Sequence, residues 1–461
     1  MASLSTTGSD RSAQQVLRAI HGLIRGGDYP AALDRLRQLE DIARNDALLL
    51  QAVAECYTHC AKHLDAHRCH ERAAQVAPGD ARCTYNLAAS CVAIGRIDAA
   101  ERLFSLVIEI RPDDFDAWQN RSTLRRQTEQ HNHVDELIRM LAKVTPGGAG
   151  EVPLCYALGK ELEDLGDHAR SFAYLRRGAD TRRRQLSYRV EMDLEAIEQI
   201  RDAFTAEVLQ LAPKPVGEPG PIFVMGLPRS GTTLVDRILS SHSAVESLGE
   251  LNDLPLSVMH VAGAASSKGD LIRRAASMDF AALGREYSRR IAGYDSQRAY
   301  IIDKAPLNFL YLGLIRLALP SAKIIHLRRD PLDSGFAMYK TLFRMGYPFS
   351  YDLEDLGRYY IAHRQLMEHW RTHLTDGFLD VDYESLVQDQ LRVSRSILDW
   401  CGVAWEPRCA DFYKNDTPAA TASAAQVREP IHSRSVGSWR RHERELEPLA
   451  RILRHANVFP A

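Results

Sequence analysis

Three prolines, Pro78, Pro112 and Pro146, stand 34 residues apart. That period suits one pair of antiparallel helices per unit, and such units bury their apolar faces only by stacking on their neighbours. The spacing therefore predicts an α-helical solenoid rather than one conventional core. In the unit 81–114, Ala88 and Ala100 are small where two helices must approach, Phe104 fills the gap beside them, and Pro112 stops the second helix. One period earlier, Ala54, Tyr57, Ala66, Ala73 and Pro78 take the equivalent slots of 47–80, and a further step puts Gly27, Ala32, Leu36 and Leu39 into 13–46. Going forward, 115–148 keeps Trp118, Ile138, Leu141 and Pro146 but carries Arg121, Ser122 and Arg125 on its first helix. A last unit near 152–185 (Leu158, Gly159, Gly166) fits after a shift of about three residues, as terminal repeats often require. Four to five repeats are expected.

In period and small-residue slots, residues 13–185 resemble tetratricopeptide repeats. The resemblance implies a superhelix with a concave groove for a peptide or protein, and no catalysis of its own. His63, His67 and His70 fall on one helical face near Cys60 in a spacing that could hold a metal. Repeats of this kind need no metal to fold, so a solvated face is expected there, and likewise for Arg182, Arg183 and Arg184.

At 461 residues the chain exceeds one ordinary domain. Its 45% hydrophobic and 26% charged residues are those of a globular protein, and a net charge of −2 gives no general attraction to nucleic acid or membranes. Any anion site must be local. The eight cysteines contain no Cys-x-x-Cys pair, which suits free thiols in a reducing compartment. The first residues (MASLSTTGSDRSAQQ) lack the charged-then-apolar order of a leader, and no run reaches ~18 apolar residues. A cytoplasmic protein without a membrane span is expected.

Residues 186–211 read as an amphipathic helix, and Ala212-Pro-Lys-Pro-Val-Gly-Glu-Pro-Gly-Pro221 then breaks all periodicity. We place the repeat domain at 13–185, a connecting helix and Pro/Gly linker at 186–220, and a second domain at 221–461. There, apolar runs at Ile222–Gly226, Tyr300–Asp303, Lys323–Leu327 and Phe378–Asp382 alternate with helical segments, which predicts an α/β fold with a parallel sheet.

The strongest motif opens that domain: Gly226-Leu-Pro-Arg-Ser-Gly-Thr-Thr233 follows an apolar strand and leads into a helix near Thr232. Backbone N–H groups and a helix N-terminus then converge where a phosphate could sit. The pattern matches the nucleotide-triphosphatase loop except that Thr232 stands where that loop has its lysine. A triphosphate with Mg²⁺ loses its main charge partner, which argues against a kinase. Arg229 supplies a cation from within the loop.

The run P-R-S-G-T-T-L after a strand resembles the 5′-phosphosulfate loop of the sulfotransferase family, above all the tyrosylprotein sulfotransferases and their bacterial relatives. The similarity extends through most of 221–441. It implies 3′-phosphoadenosine 5′-phosphosulfate (PAPS) as co-substrate, held by Arg229, Ser230, Gly231, Thr232 and Thr233, with no metal required. Lys323-Ile-Ile-His-Leu-Arg-Arg-Asp-Pro resembles the family's second fingerprint, placing Arg329 on the 3′-phosphate. The family often has a serine eight residues later, where this chain has Ala337, so Ser334 or Lys340 is the expected substitute. Val381-Asp-Tyr-Glu-Ser-Leu386 offers Tyr383 as a nucleotide contact, and Ser423 and Arg428 are the candidates in the small-residue stretch 421–439.

Sulfonate transfer to a hydroxyl needs a base and positive charge over the leaving oxygen. By the same resemblance Glu250, in Ser-Leu-Gly-Glu-Leu, is the expected base and Lys304, in Asp-Lys-Ala-Pro, the cation; Asp253 and Asp303 are the next carboxylates. The expected acceptor is a peptide, a protein or another hydroxyl compound, a protein tyrosine being favoured, received through the repeat groove. Carbohydrate, lipid and small-alcohol acceptors use the same domain, and a repeat scaffold with a degenerate nucleotide-binding domain is the competing reading.

Overall fold

The computed structural model describes residues 8–214, 220–419, 421 and 423–458, so residues 215–219 of the expected linker lie outside the described part. The N-terminal half is five helical pairs: α1 (Gly8–Gly26) with α2 (Tyr29–Ile42), α3 (Ala47–His59) with α4 (His63–Val76), α5 (Ala81–Ala93) with α6 (Ile97–Ile110), α7 (Phe115–Thr123) with α8 (Val134–Leu141), and α9 (Glu151–Asp164) with α10 (His168–Gln185).

The period extends to residues that the proline spacing did not expose. Asp46, Asp80 and Asp114 each cap a first helix, accepting the N–H of the residue three further on at 3.0, 2.7 and 3.2 Å. At the turn inside each of the first three pairs the chain enters the left-handed region, through Gly27 (φ 73°), Ala61 (φ 57°) and Gly95 (φ 84°). Ala61 bears a steric cost there that the glycines avoid. The degenerate unit 115–148 forms short helices, and α9 packs on α7, α8 and α10. Its polar residues find partners: Arg121 donates to Glu136 at 2.9 Å and Ser122 to Glu161 at 2.6 Å.

The connecting stretch forms α11 (Glu191–Ala203) and a short α12 (Ala206–Leu209) rather than one continuous helix, because the chain leaves helical geometry at Phe204 (ψ 67°) and Thr205 (ψ 170°). The second half contains β1 (Ile222–Gly226), α13 (Thr232–Ser240), β2 (Val245–Ser247), α14 (Asp253–Ala262), α15 (Lys268–Ala275), α16 (Phe280–Ala292), β3 (Tyr300–Lys304), α17 (Leu312–Ala318), β4 (Lys323–Arg328), α18 (Pro331–Tyr339), α19 (Leu353–His373), β5 (Leu379–Asp382), α20 (Tyr383–Gln388), α21 (Gln390–Cys401) and α22 (Glu447–His455). The strands form one parallel sheet in the order β2-β3-β1-β4-β5. Sequence reading missed only the short β2. Strand order reverses between β1 and β4, and ligands of open parallel sheets bind at the carboxyl ends beside such a switch point.

Side chains of β1 alternate between two cores. Ile222 and Val224 join the cluster under α13 and α21, whereas Phe223 and Met225 join a cluster that runs on to Tyr29, Leu36 and Phe172 of the repeats. The two halves therefore share one apolar core. Phe172 of α10 stacks on Tyr339 of α18 with ring centroids 5.7 Å apart. Polar contacts frame this junction: Lys340 pairs with Glu163 at 2.7 Å, and Tyr156 Oη donates to the Tyr339 carbonyl at 3.2 Å. Contrary to the expected solvated helix end, Arg183 pairs with Asp355 at 2.9 Å and Arg182 donates to the Arg344 carbonyl at 2.5 Å. All eight cysteines are free and buried. No helix among the described residues is long and apolar enough to cross a membrane.

Candidate active site

The loop between β1 and α13 owes its shape to two glycines. A Cβ on Gly226 (φ 152°) would come within 2.7 Å of the Leu327 carbonyl oxygen on β4, and one on Gly231 (φ 106°) within 2.7 Å of the Tyr383 ring. Only glycine lets the loop lie this close to the neighbouring strand and to Tyr383. Arg229 also takes positive φ, 65°, which turns its side chain across the loop.

A pocket of about 170 Å³ forms there, lined by Arg229, Gly231, Thr232, Thr233, Arg329, Ala337, Lys340, Tyr383 and Ser423, with Gln426, Ser435 and Ser438. Segments from β1, β4, β5 and the C-terminal stretch thus meet at one place. Ser230 is buried just beneath, its hydroxyl without a partner, and Arg329 Nε is likewise buried and unsatisfied. Arg229 donates to Ser423 Oγ and to Gln426 Oε1 (2.7 Å). Arg329 donates to the carbonyls of Arg229 (2.8 Å) and Ser435 (2.7 Å), and its guanidinium lies 4.7 Å from the Tyr383 ring centre. Burial, reinforced by the Arg329 charge, pushes the Arg229 guanidinium down to about 10. Two arginines that face each other with neutral partners at a helix N-terminus have the chemistry of an anion site.

Two expectations need correction. Arg428 does not line this pocket; its guanidinium donates to the Ala93 carbonyl at 3.3 Å and fills the space over Gly95, so it ties the C-terminal stretch to the repeats. Of the substitutes for the missing serine, Lys340 lines the pocket, held by Glu163, whereas the Ser334 hydroxyl is buried with no partner and is absent from the lining.

A second, larger cavity of about 1480 Å³ opens beyond α13. Glu250 and Lys304 meet in it as an ion pair, with the Lys304 side chain fully buried and that of Glu250 43% exposed. Lys304 sits at the carboxyl end of β3, and its backbone N–H donates to the Gly249 carbonyl at 3.0 Å, fixing the Glu250 loop beside it. Asp236 on α13 joins them; burial raises its carboxyl above the usual range, opposed by Lys304. Sequence reading passed over Asp236, although it lies one helical turn beyond Thr232 and Thr233 and so faces the same way. Ala419 and Thr421 line this cavity, whereas Ser423 lines the smaller pocket.

The two fallback carboxylates, of which Asp253 also lines the larger cavity, each have hydrogen-bond partners of their own. Asp253 accepts hydrogen bonds from Tyr29 and Tyr294 on its two oxygens at 2.6 and 2.8 Å. Asp303 accepts from Tyr287 (3.0 Å) and Asn308 (3.2 Å), and burial pushes its carboxyl up to about 7. On the opposite wall, Arg18, His21 and Arg25 of α1 and Lys62 and His63 from the α3–α4 turn face the cavity. His67 and His70 point elsewhere, bonded to Ser90 (2.8 Å) and Gln51 (3.0 Å), which leaves the histidine row with no convergent ligand set.

At the switch point of the parallel sheet stands a glycine loop with two arginines, and next to α13 a buried lysine is paired with a carboxylate. Residues 221–407 match the sulfotransferase family, and residues 61–125 match the tetratricopeptide repeat. The chain thus carries a sulfotransferase domain behind tetratricopeptide repeats. An uncharacterised protein of Aquifex aeolicus (strain VF5) is 33% identical over 376 residues, 78% of this chain and 48% of its own length. The chain spans about half of that relative. Among solved structures, the sulfotransferase domain from the curacin biosynthetic pathway is 18% identical (TM-score 0.35), covering 53% of this chain and 99% of its own. The sulfotransferase from Alicyclobacillus acidocaldarius is 18% identical (TM-score 0.30), covering 49% and 100%.

Proposed function

We propose that this protein transfers the sulfonate group of PAPS to an acceptor hydroxyl. The observation that carries this reading is the Glu250–Lys304 pair in the larger cavity, next to α13, whose Thr232 and Thr233 line the arginine pocket and whose Asp236 lines the cavity. In our reading the 5′-phosphosulfate lies over Gly231–Thr233 with Arg229, and the 3′-phosphate takes Arg329. Unsatisfied Ser230 Oγ and Arg329 Nε are donors that such anions would use. The pocket is smaller than the roughly 300–1,000 Å³ of ordinary small-molecule sites, so the bridge from Arg229 to Ser423 and Gln426 parts when the nucleotide enters.

The acceptor oxygen attacks sulfur as its proton passes to a Glu250 carboxylate oxygen. The bond from sulfur to the bridging phosphate oxygen breaks, and its electron pair stays on 3′-phosphoadenosine 5′-phosphate. Lys304 starts as the partner of Glu250 and turns its charge toward that oxygen as Glu250 is neutralised. No metal takes part in these steps. The cavity exceeds ordinary small-molecule sites, which favours a peptide or similarly extended acceptor, a protein tyrosine among them, over a small alcohol. We place the acceptor between the first two repeats and the Glu250 loop, and read residues 186–220 as the connection between the halves.

The test has two parts. 3′-Phosphoadenosine 5′-phosphate should raise the melting temperature without Mg²⁺; equal stabilisation by ATP with Mg²⁺ would overturn the nucleotide assignment. Peptide, glycan and lipid hydroxyl libraries incubated with PAPS should then yield one class of product heavier by a sulfonate group in mass spectrometry.

A further inference from the structure

The loop that carries Glu250 is held from both sides, and one of the holds comes from the repeats. On its N-terminal side, Leu248 N–H donates to the Ile302 carbonyl and Lys304 N–H to the Gly249 carbonyl, both at 3.0 Å, so β3 grips the loop just before Glu250. On its C-terminal side the anchor is the side chain of Asp253, a residue 1% exposed. Tyr29 Oη, from the start of α2, donates to Asp253 Oδ1 at 2.6 Å, and Tyr294 Oη donates to Oδ2 at 2.8 Å. The two tyrosine rings lie against each other with centroids 4.1 Å apart. Arg290 stands 3.5 Å from the same carboxylate and donates to the Arg25 carbonyl at 2.8 Å, while Arg289 donates to the Gly26 carbonyl at 2.7 Å. The turn between α1 and α2 is therefore fastened to α16, and Tyr29 reaches from it to the loop.

We infer that Tyr29, acting through Asp253, is a positioning residue for Glu250, so that the first repeat belongs to the catalytic apparatus as well as to the acceptor cavity. A buried carboxylate needs its hydrogen bonds, and losing one from Oδ1 leaves an unsatisfied group. That loss is relieved by movement of the segment that bears it, and Glu250 lies three residues away on that segment. Its alignment with the acceptor oxygen is the quantity such movement degrades, and a displacement of about 1 Å is enough to slow a positioned reaction strongly. The loop before α13 and the Arg229–Arg329 pocket have no part in this chain of contacts. The inference rests on the reading of Glu250 as the base.

Tyr29→Phe in the full chain keeps the ring packing and removes only the hydroxyl. Hydrogen–deuterium exchange should rise across 248–256 and stay unchanged across 226–235. Unchanged exchange across 248–256 overturns the inference whatever the acceptor proves to be. Turnover should fall about tenfold, with the KM for acceptor and the affinity for 3′-phosphoadenosine 5′-phosphate within twofold of the parent. The sharper measurement is a double-mutant cycle: in a Glu250→Gln background, Tyr29→Phe should cost little more. A full additional loss there means that Tyr29 supports the fold generally, which sinks the inference while leaving the base in place. An inactive-base result, with Glu250→Gln itself harmless, removes the base assignment and the inference with it. If Tyr29→Phe folds poorly, Tyr294→Phe tests the other oxygen of the same carboxylate by the same readouts.

Discussion

The arginine-lined pocket and the Glu250 cavity draw on the chain in opposite ways. The pocket is built at the carboxyl ends of neighbouring strands of one sheet, from a loop after β1, an arginine after β4 and a tyrosine after β5, closed by the C-terminal stretch. The cavity has one wall from the catalytic half and another from α1, Tyr29 and the α3–α4 turn. Backbone geometry shapes the first site, and docking of two halves shapes the second. A site of the first kind can be carried from protein to protein with its motif. One of the second kind changes whenever the docked partner changes, which suits a donor common to many enzymes and an acceptor peculiar to one.

The largest expected effect comes from removing the docked wall. Residues 214–461 alone expose the surface around Tyr294 and α18 that Tyr29 and Phe172 now cover, and the shared cluster argues against the independent folding that a Pro/Gly linker suggests. We expect the fragment to aggregate or to melt without cooperativity in circular dichroism. A fragment that folds and binds nucleotide normally would mean that the pocket needs nothing from the repeats. Next, Glu250→Gln should lower turnover by about 10²-fold or more with nucleotide affinity nearly intact, whereas Lys304→Ala should lower both, read by product formation and calorimetric titration.

Within the smaller pocket, Arg229→Ala removes a charge-assisted contact of roughly 1.5–3 kcal/mol. The affinity for 3′-phosphoadenosine 5′-phosphate should drop about tenfold or more, with the acceptor KM unchanged. The opposite signature belongs to the repeat wall. Arg18 and Lys62, which have no ion-pair partner among the described residues, face the cavity. Replacing both with alanine should raise the KM of an anionic acceptor by about two- to fivefold, the scale of exposed charge pairs, and leave nucleotide affinity alone.

The smallest effect is a pH slope at the junction of the halves. His442 packs on Phe172 and Phe336 with ring centroids 5.2 and 4.6 Å away, and burial pushes its imidazole down to about 4. The unfolded chain takes up this proton at higher pH than the folded one, so stability is full above about 6.5 and declines as pH falls toward 4. His442→Phe should flatten that part of the melting-temperature profile; an unchanged slope would assign it to other buried histidines.

The chain alone determined a repeat solenoid ahead of a parallel α/β domain, because a 34-residue period and apolar strand runs each have one economical way to bury themselves. The glycine loop between strand and helix brought out Arg229 and Gly231, since it carries its geometry locally, and the resemblance to sulfotransferases brought out Arg329 and Tyr383; all four line the smaller pocket. What it did not reveal depends on contacts between distant segments. Tyr29 bonds to a carboxylate 224 positions away, Arg428 turns to Ala93 instead of the pocket, and Arg183 meets Asp355 instead of solvent. None of these partners is marked by spacing, because a side chain's local sequence sets which face of its helix it occupies, while the packing of whole helices decides what stands opposite. The capping series Asp46, Asp80 and Asp114 lay in the period all along and shows how much local information remained unread. The wall around Glu250 was decided only when the first repeat docked against α14 and α16, for there the burial of apolar area on both halves overrides what either segment encodes alone.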